Sequence, residues 1–293
     1  MRRWLPLSLI VIAGIFAIVA VQWQRIAARP SAQGILSAAA DAQHEATRVP
    51  THFDPMSDAD EIALGDELAS EYAERWLSSP ADATKNRAIE AYLQTVGERT
   101  AAGARRKLPW KFHYIPDPAF VNAFALPGGH VFVGQGVIAL MKSEDALAAV
   151  LGHEVEHIDL RHCAERMQTE AHLRELGTLG AVVGLPVEVF LAGYSKEQEL
   201  EADRDGTTLA VKAGYSPLGI LQLLGEFEKL EQQANSSDDK PATPVDEAAQ
   251  ISLQTVAGYF RSHPPAVQRE QQVRELMRSQ RWPTPPLRPL RKF

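Results

Sequence analysis

His153-Glu154-Val155-Glu156-His157 lies within a helix-forming run from Ser143 to about Cys163. Two histidines four residues apart on a helix are separated by about 40° around its axis, so they share one face. One metal ion can take both. Glu154, beside the first histidine, is placed to take a proton from a water while staying outside the coordination shell. A pair of helical histidines alone is more often ordinary core or surface. The added glutamate gives all three positions a common chemical reason.

A catalytic zinc site uses three protein ligands and keeps one position open, which calls for a third ligand. Cys163 is the only cysteine, which excludes a cysteine-based zinc site and any intramolecular disulfide. One class of metallopeptidases continues the helix with Gly and a third His, but Leu160 and Cys163 occupy those positions here. Glu175 is another candidate, eighteen residues beyond His157. A third lies in Ser195-Lys-Glu-Gln-Glu199-Leu-Glu201-Ala-Asp203-Arg-Asp205-Gly206, where Glu199 and Asp203 share a helical face. Alone, such a run reads as a solvated acidic surface. Beside a histidine pair it becomes the favoured source, with Glu175 left open.

Outward from this centre, the pattern before it is partly β and the pattern after it is helical. Lys111–Ile115 and His130–Val133 are short β-prone runs, punctuated by Pro116, Pro118, Pro127, Gly128 and Gly129. Ser57 reads as an N-cap, with Asp58, Asp60 and Glu61 in the first turn of a helix to about Leu77, and a second helix spans Asp82 to Ala102. Further helices are expected over Ala164–Leu176, Ser195–Ala213, Pro217–Gln233 and Pro265–Ser279. The expected fold class is α+β, mostly helical with a small β-sheet. A polar surface loop is expected over 234–247 and a Pro-rich tail from Trp282 to Phe293.

The first residues carry a membrane signal. Trp4 to Trp23 is an uncharged, apolar run of twenty residues, about 30 Å as a helix and so about the thickness of a bilayer core. A single transmembrane anchor is the expectation. The alternative is a signal peptide cleaved after a small residue such as Ala20 or Ala28. The expected division is 1–25 anchor or signal segment, 26–56 linker, 57–280 globular domain and 281–293 tail. The 293 residues are 45% hydrophobic, enough for one large core, and the formal charge of −7 gives no basic face for nucleic acid.

Four segments carry a wider resemblance. They are Asn122-Ala-Phe-Ala-Leu-Pro-Gly-Gly-His-Val131, Gly152-His-Glu-Val-Glu-His157 with Arg161-His162, Tyr194-Ser-Lys-Glu-Gln-Glu-Leu-Glu-Ala-Asp203, and Ser262-His-Pro-Pro265 followed by Arg269. Together they resemble the membrane-associated zinc metallopeptidase family that includes HtpX, BepA and the CaaX prenyl endoprotease. The resemblance implies a zincin-like domain with one Zn2+ held by His153, His157 and Glu199, and Glu154 as the catalytic base. It places Asp203 behind the metal ligands. It makes His263 a residue that approaches the metal site, to stabilise the intermediate or to plug the site at rest. Asn122, Ala123, Phe124 and Ala125 match the family's active-site edge strand, where backbone hydrogen bonds hold an extended peptide. An internal strand with a Pro-Gly-Gly turn is the plainer reading of that stretch. Two features depart from the family pattern: Glu270 where an apolar residue is frequent, and the polar loop at 234–247.

The implied function is a zinc-dependent endopeptidase that cleaves misfolded or envelope and membrane polypeptides. The implied setting is a bacterial inner membrane, with one span and the catalytic domain in the periplasm, or a secreted periplasmic form if the signal is cleaved. The competing reading is a latent or inactive membrane-tethered zinc protein with a chaperone-like binding role.

Overall fold

The computed structural model describes residues 56–76, 83–175, 193–236 and 266–293. The expected membrane segment, the linker up to Pro55, the loop residues 237–247 and His263 lie outside the described residues. Among the described residues, no helix is long and apolar enough to cross a membrane.

Helices α1 (Asp58–Trp76) and α2 (Ala83–Ala101) precede strand β1 (Lys111–Ile115). Strand β2 (Ala123–Leu126) follows, then a 3-10 turn at Pro127–Gly129, strand β3 (His130–Gly134) and a short helix α3 (Gln135–Leu140). Five helices follow among the described residues: α4 (Glu144–Asp159), α5 (His162–Glu175), α6 (Lys196–Lys212), α7 (Leu218–Ser236) and α8 (Ala266–Ser279). Among the described residues the domain is mostly helical with one three-stranded sheet, as expected. In that sheet β3 is central, parallel to β1 and antiparallel to β2. Gly128, at φ 77°, makes the tight β2–β3 reversal, and a Cβ there would press into the α1 backbone at 2.6 Å.

Helix α4 is the axis of the domain. Every residue from Asp145 to Asp159 is buried, as expected of a helix enclosed on all sides. It packs against α2, α6, α7 and β2. Ser143 caps it, its Oγ accepting from the Ala146 amide at 3.2 Å. The other end stops at Leu160, because Arg161 adopts a left-handed backbone at φ 66°. The expected helical break near Cys163 therefore falls two residues earlier, and α5 begins at His162.

An ion-pair cluster holds that corner. Arg161 donates to Asp58 at 2.6 Å and to the buried Glu61 at 3.1 Å, while Arg106 donates to Asp58 at 2.7 Å and also to Glu61. The start of α1 is thereby tied to the α4–α5 turn.

The Pro-rich end, expected as a tail, is docked. The buried Asp145 carboxylate, in the first turn of α4, accepts from the backbone amides of Ser216 and Arg288, both at 2.6 Å. Arg288 stacks over Tyr215 at 4.6 Å, and Phe293 meets Tyr92 at 5.5 Å. Composition alone did not reveal this, because the contacts come from backbone amides and two aromatic rings far away in sequence.

Candidate active site

The site is assembled where α4 crosses α6. Gly152 and Gly206 let the two backbones touch, since a Cβ on either would come within 2.5 Å of the other helix's backbone. A capping box fixes the start of α6, with Ser195 Oγ accepting from the Gln198 amide and Gln198 Oε1 from the Ser195 amide. This puts Glu199 in the first turn of α6, facing the histidine pair.

His153 Nε2 and His157 Nε2 are 3.1 Å apart. Glu199 Oε2 lies 3.4 Å from His153 Nε2, and its Oε1 lies 3.5 Å from His157 Nε2. All three side chains are buried, and their ligand atoms fall within 4.8 Å of one another. Tetrahedral coordination at ordinary Zn–N lengths separates two ligand nitrogens by roughly 3.3 Å. The triangle therefore has the dimensions and the donor types of a zinc site.

The electrostatics also favour a cation. Burial disfavours the charged form of His153, but its hydrogen bond to Asp203 and the nearby Glu199 carboxylate outweigh burial and raise its pKa to about 10. His153 Nδ1 sits 2.9 Å from Asp203 Oδ1, which fixes its ring with Nε2 toward Glu199. Asp203 is gripped in turn by Arg269, which donates from Nε to Oδ2 at 2.6 Å and from Nη2 to Oδ1 at 2.7 Å. Burial pushes the Asp203 carboxyl up, yet Arg269 and His153 prevail and hold it at about 2. Glu154, also buried, is raised to about 7, mainly by burial. A carboxyl so tuned can accept a proton near neutral pH and give it up again.

His157 is held by different groups. The Tyr194 ring stacks on it at 4.0 Å between centroids, and His162 Nδ1 lies 3.1 Å from its Nδ1. The Tyr194 hydroxyl meets Cys163 Sγ at 3.1 Å.

The structure thus brings His153, Glu154, His157, Glu199 and Asp203 together. His263 and the side chain of Glu175 lie outside what it describes. Strand β2, which carries Ala123, Phe124 and Ala125, is outermost in the sheet, but all four of its residues are buried. The Ala125 carbonyl faces Cys163 Sγ at 3.7 Å. Three residues quoted in the sequence motifs had no role assigned there: Arg269, Tyr194 and His162. Arg269 sits between Gln268 and Glu270, a charge pattern typical of an exposed helix face, so only its place in a family motif marked it.

Comparison with known proteins gives the family. Over 180 residues the chain is 33% identical to the mitochondrial metalloendopeptidase OMA1 of Schizosaccharomyces pombe, a stretch covering 57% of this chain and 50% of that one. It is 29% identical over 201 residues to the beta-barrel assembly-enhancing protease of Escherichia coli, covering 61% of this chain and 40% of that one. With the metalloprotease LoiP of Escherichia coli it shares 28% identity over 203 residues, 64% of this chain and 78% of the other. The chain spans half or less of the length of the first two. The model of peptidase family M48 matches residues 87–277, from α2 to α8, and so includes every residue of the cluster. This protein belongs to peptidase family M48, the zinc-dependent metallopeptidases.

Proposed function

We propose that the protein is an endopeptidase that cleaves misfolded or envelope and membrane polypeptides, with Glu154 as the proton-transfer group. The observation that carries this reading is the convergence of His153, His157 and Glu199 beside a buried glutamate tuned to about 7. Zinc held by those three side chains would supply Lewis-acid polarisation of the attacking water and of the peptide carbonyl. Glu154 takes the proton released as water attacks and returns it to the leaving amine. Asp203 and Arg269 hold the His153 ring in the ligating tautomer throughout. The peptide runs in extended form along Asn122–Ala125, and His263 approaches the site to stabilise the developing oxyanion or to close it at rest.

The reading of the cellular setting is supported by the apolar run Trp4–Trp23 and by the name of the beta-barrel assembly-enhancing relative. The domain over 57–280 would stand in the periplasm on an inner-membrane anchor. The test uses the full chain with an unfolded protein substrate, with and without chelator, beside Glu154→Gln. The variant should keep its zinc and lose activity by at least about 100-fold. A Glu154→Gln variant as active as the parent would remove Glu154 from the mechanism.

A further inference from the structure

We infer that His162, backed by Glu201, is a positioning residue that fixes the ring tautomer of His157. The inference rests on the metal assignment proposed above and on hydrogen-bond polarity between the two rings. His157 Nε2 faces His153 Nε2 at 3.1 Å and Glu199 Oε1 at 3.5 Å, so a ligating His157 must present its lone pair there. Its proton then sits on Nδ1. That nitrogen is 3.1 Å from His162 Nδ1, and two ring nitrogens at this distance need one donor and one acceptor. His162 therefore accepts at Nδ1 and carries its own proton on Nε2. Glu201 Oε2 lies 3.7 Å from that Nε2, an acceptor charge beside the nitrogen that carries the proton. The other carboxylate oxygen of Glu201 accepts from Arg204 at 3.1 Å.

The reverse polarity would leave His157 with a proton on Nε2, aimed at the other ligands, and no metal could bind it. The two histidine ligands are thus oriented by different means. His153 leans on an ionised carboxylate gripped by a buried arginine, and His157 on a second imidazole whose carboxylate partner is half exposed. The early end of α4 makes this possible. Because Arg161 turns the chain with a positive φ, His162 at the start of α5 folds back against His157 instead of continuing around the helix.

A histidine buried only for packing would tolerate a ring of similar size, whereas a hydrogen-bond acceptor would not. The experiment measures zinc affinity of the full chain by competition with a chromophoric chelator. Melting of the metal-free chain and the visible absorption of the cobalt-loaded chain are recorded alongside. His162→Phe should weaken zinc binding roughly 10- to 100-fold and shift the cobalt band, with metal-free melting close to the parent. His162→Gln, whose side-chain carbonyl can accept from His157 Nδ1, should recover most of that affinity. Zinc binding by His162→Phe within about twofold of the parent overturns the inference, as does a His162→Gln no better than His162→Phe. If neither variant folds, Glu201→Ala decides, and unchanged affinity with an unchanged cobalt band overturns it. His157→Ala separates the two levels. Zinc retained in His157→Ala defeats the metal assignment itself, whereas zinc lost there but kept in His162→Phe defeats only this inference.

Discussion

Gly152 and Gly206 lie against each other where α4 crosses α6, with a Cβ on Gly152 falling 2.5 Å from the Gly206 carbonyl oxygen. Gly152 immediately precedes His153, and Gly206 is three residues past Asp203, so this crossing sets the distance between the histidine pair and the acids that face it.

Gly152→Ala and Gly206→Ala should therefore each lower stability by about 1–3 kcal/mol, because the obstacle is backbone and neither helix can yield locally. Both should also weaken zinc binding, since separating the helices draws Glu199 away from His153 and His157. Gly225→Ala in α7 is the control. A Cβ there meets nothing within 4 Å, and the substitution should stabilise by about 0.5–1 kcal/mol. Denaturant titration and metal analysis of the three variants check this, and an unaffected Gly152→Ala would show that the crossing can relax.

The third ligand is tested by metal content. Glu199→Ala should lower bound zinc sharply, whereas Glu175→Ala should leave it at the parental level. Glu199 is wholly buried and lies within 3.5 Å of both histidines. Metal analysis of the purified variants distinguishes the two glutamates, and the opposite pattern would move the ligand to Glu175.

Several features of this fold were legible in the sequence for local reasons. Ser143 and Ser195 announce helix starts through their caps, and the histidine spacing places both rings on one face. Others depend on contacts distant in sequence. Strand β2 is only Ala-Phe-Ala-Leu, too short for alternation, and exists because it pairs with β3. The stop after α4 has no Gly or Pro to mark it, since Arg161 takes the left-handed conformation and is held there by Asp58 and Glu61 from α1. At the site, spacing and charge pointed to the acidic segment, but only the family resemblance singled out Glu199. The pairing of Asp203 with Arg269 joins residues sixty-six apart, which no local pattern encodes.

That pairing predicts a severe cost for Arg269→Leu. Arg269 is 1% exposed and donates to both oxygens of Asp203, so its removal leaves a buried carboxylate whose other hydrogen-bond partner is His153. The loss should be about 3–5 kcal/mol, with weaker zinc binding because the His153 ring is no longer firmly oriented. Arg269→Lys should not restore it, since an ammonium cannot reproduce the two-pronged contact. Melting of the metal-free variants provides the check, and a fully stable Arg269→Lys would show that a point charge suffices.

A last prediction concerns acid stability and a cluster apart from the metal site. His130 on β3 is buried between Asp66 of α1, 3.0 Å from its Nε2, and His113 of β1, 2.9 Å from its Nδ1. Glu90 of α2 lies 3.6 Å from the other nitrogen of His113, and Lys111 donates to Asp66 at 2.6 Å. Burial and the neighbouring His113 pull the His130 pKa down to about 4, although Asp66 works in the opposite direction. The unfolded chain takes up this proton near pH 6.5, whereas the folded chain refuses it until about pH 4. The contribution of neutral His130 is thus complete above pH 6.5 and lost as pH falls through that window. At 1.36 kcal/mol per pH unit, it amounts to about 3 kcal/mol. His130→Phe keeps a ring against His113 and removes the titration. Between pH 7 and pH 4 the parent should lose about 2–3 kcal/mol more than this variant in denaturant unfolding, and equal losses would clear His130 of the effect.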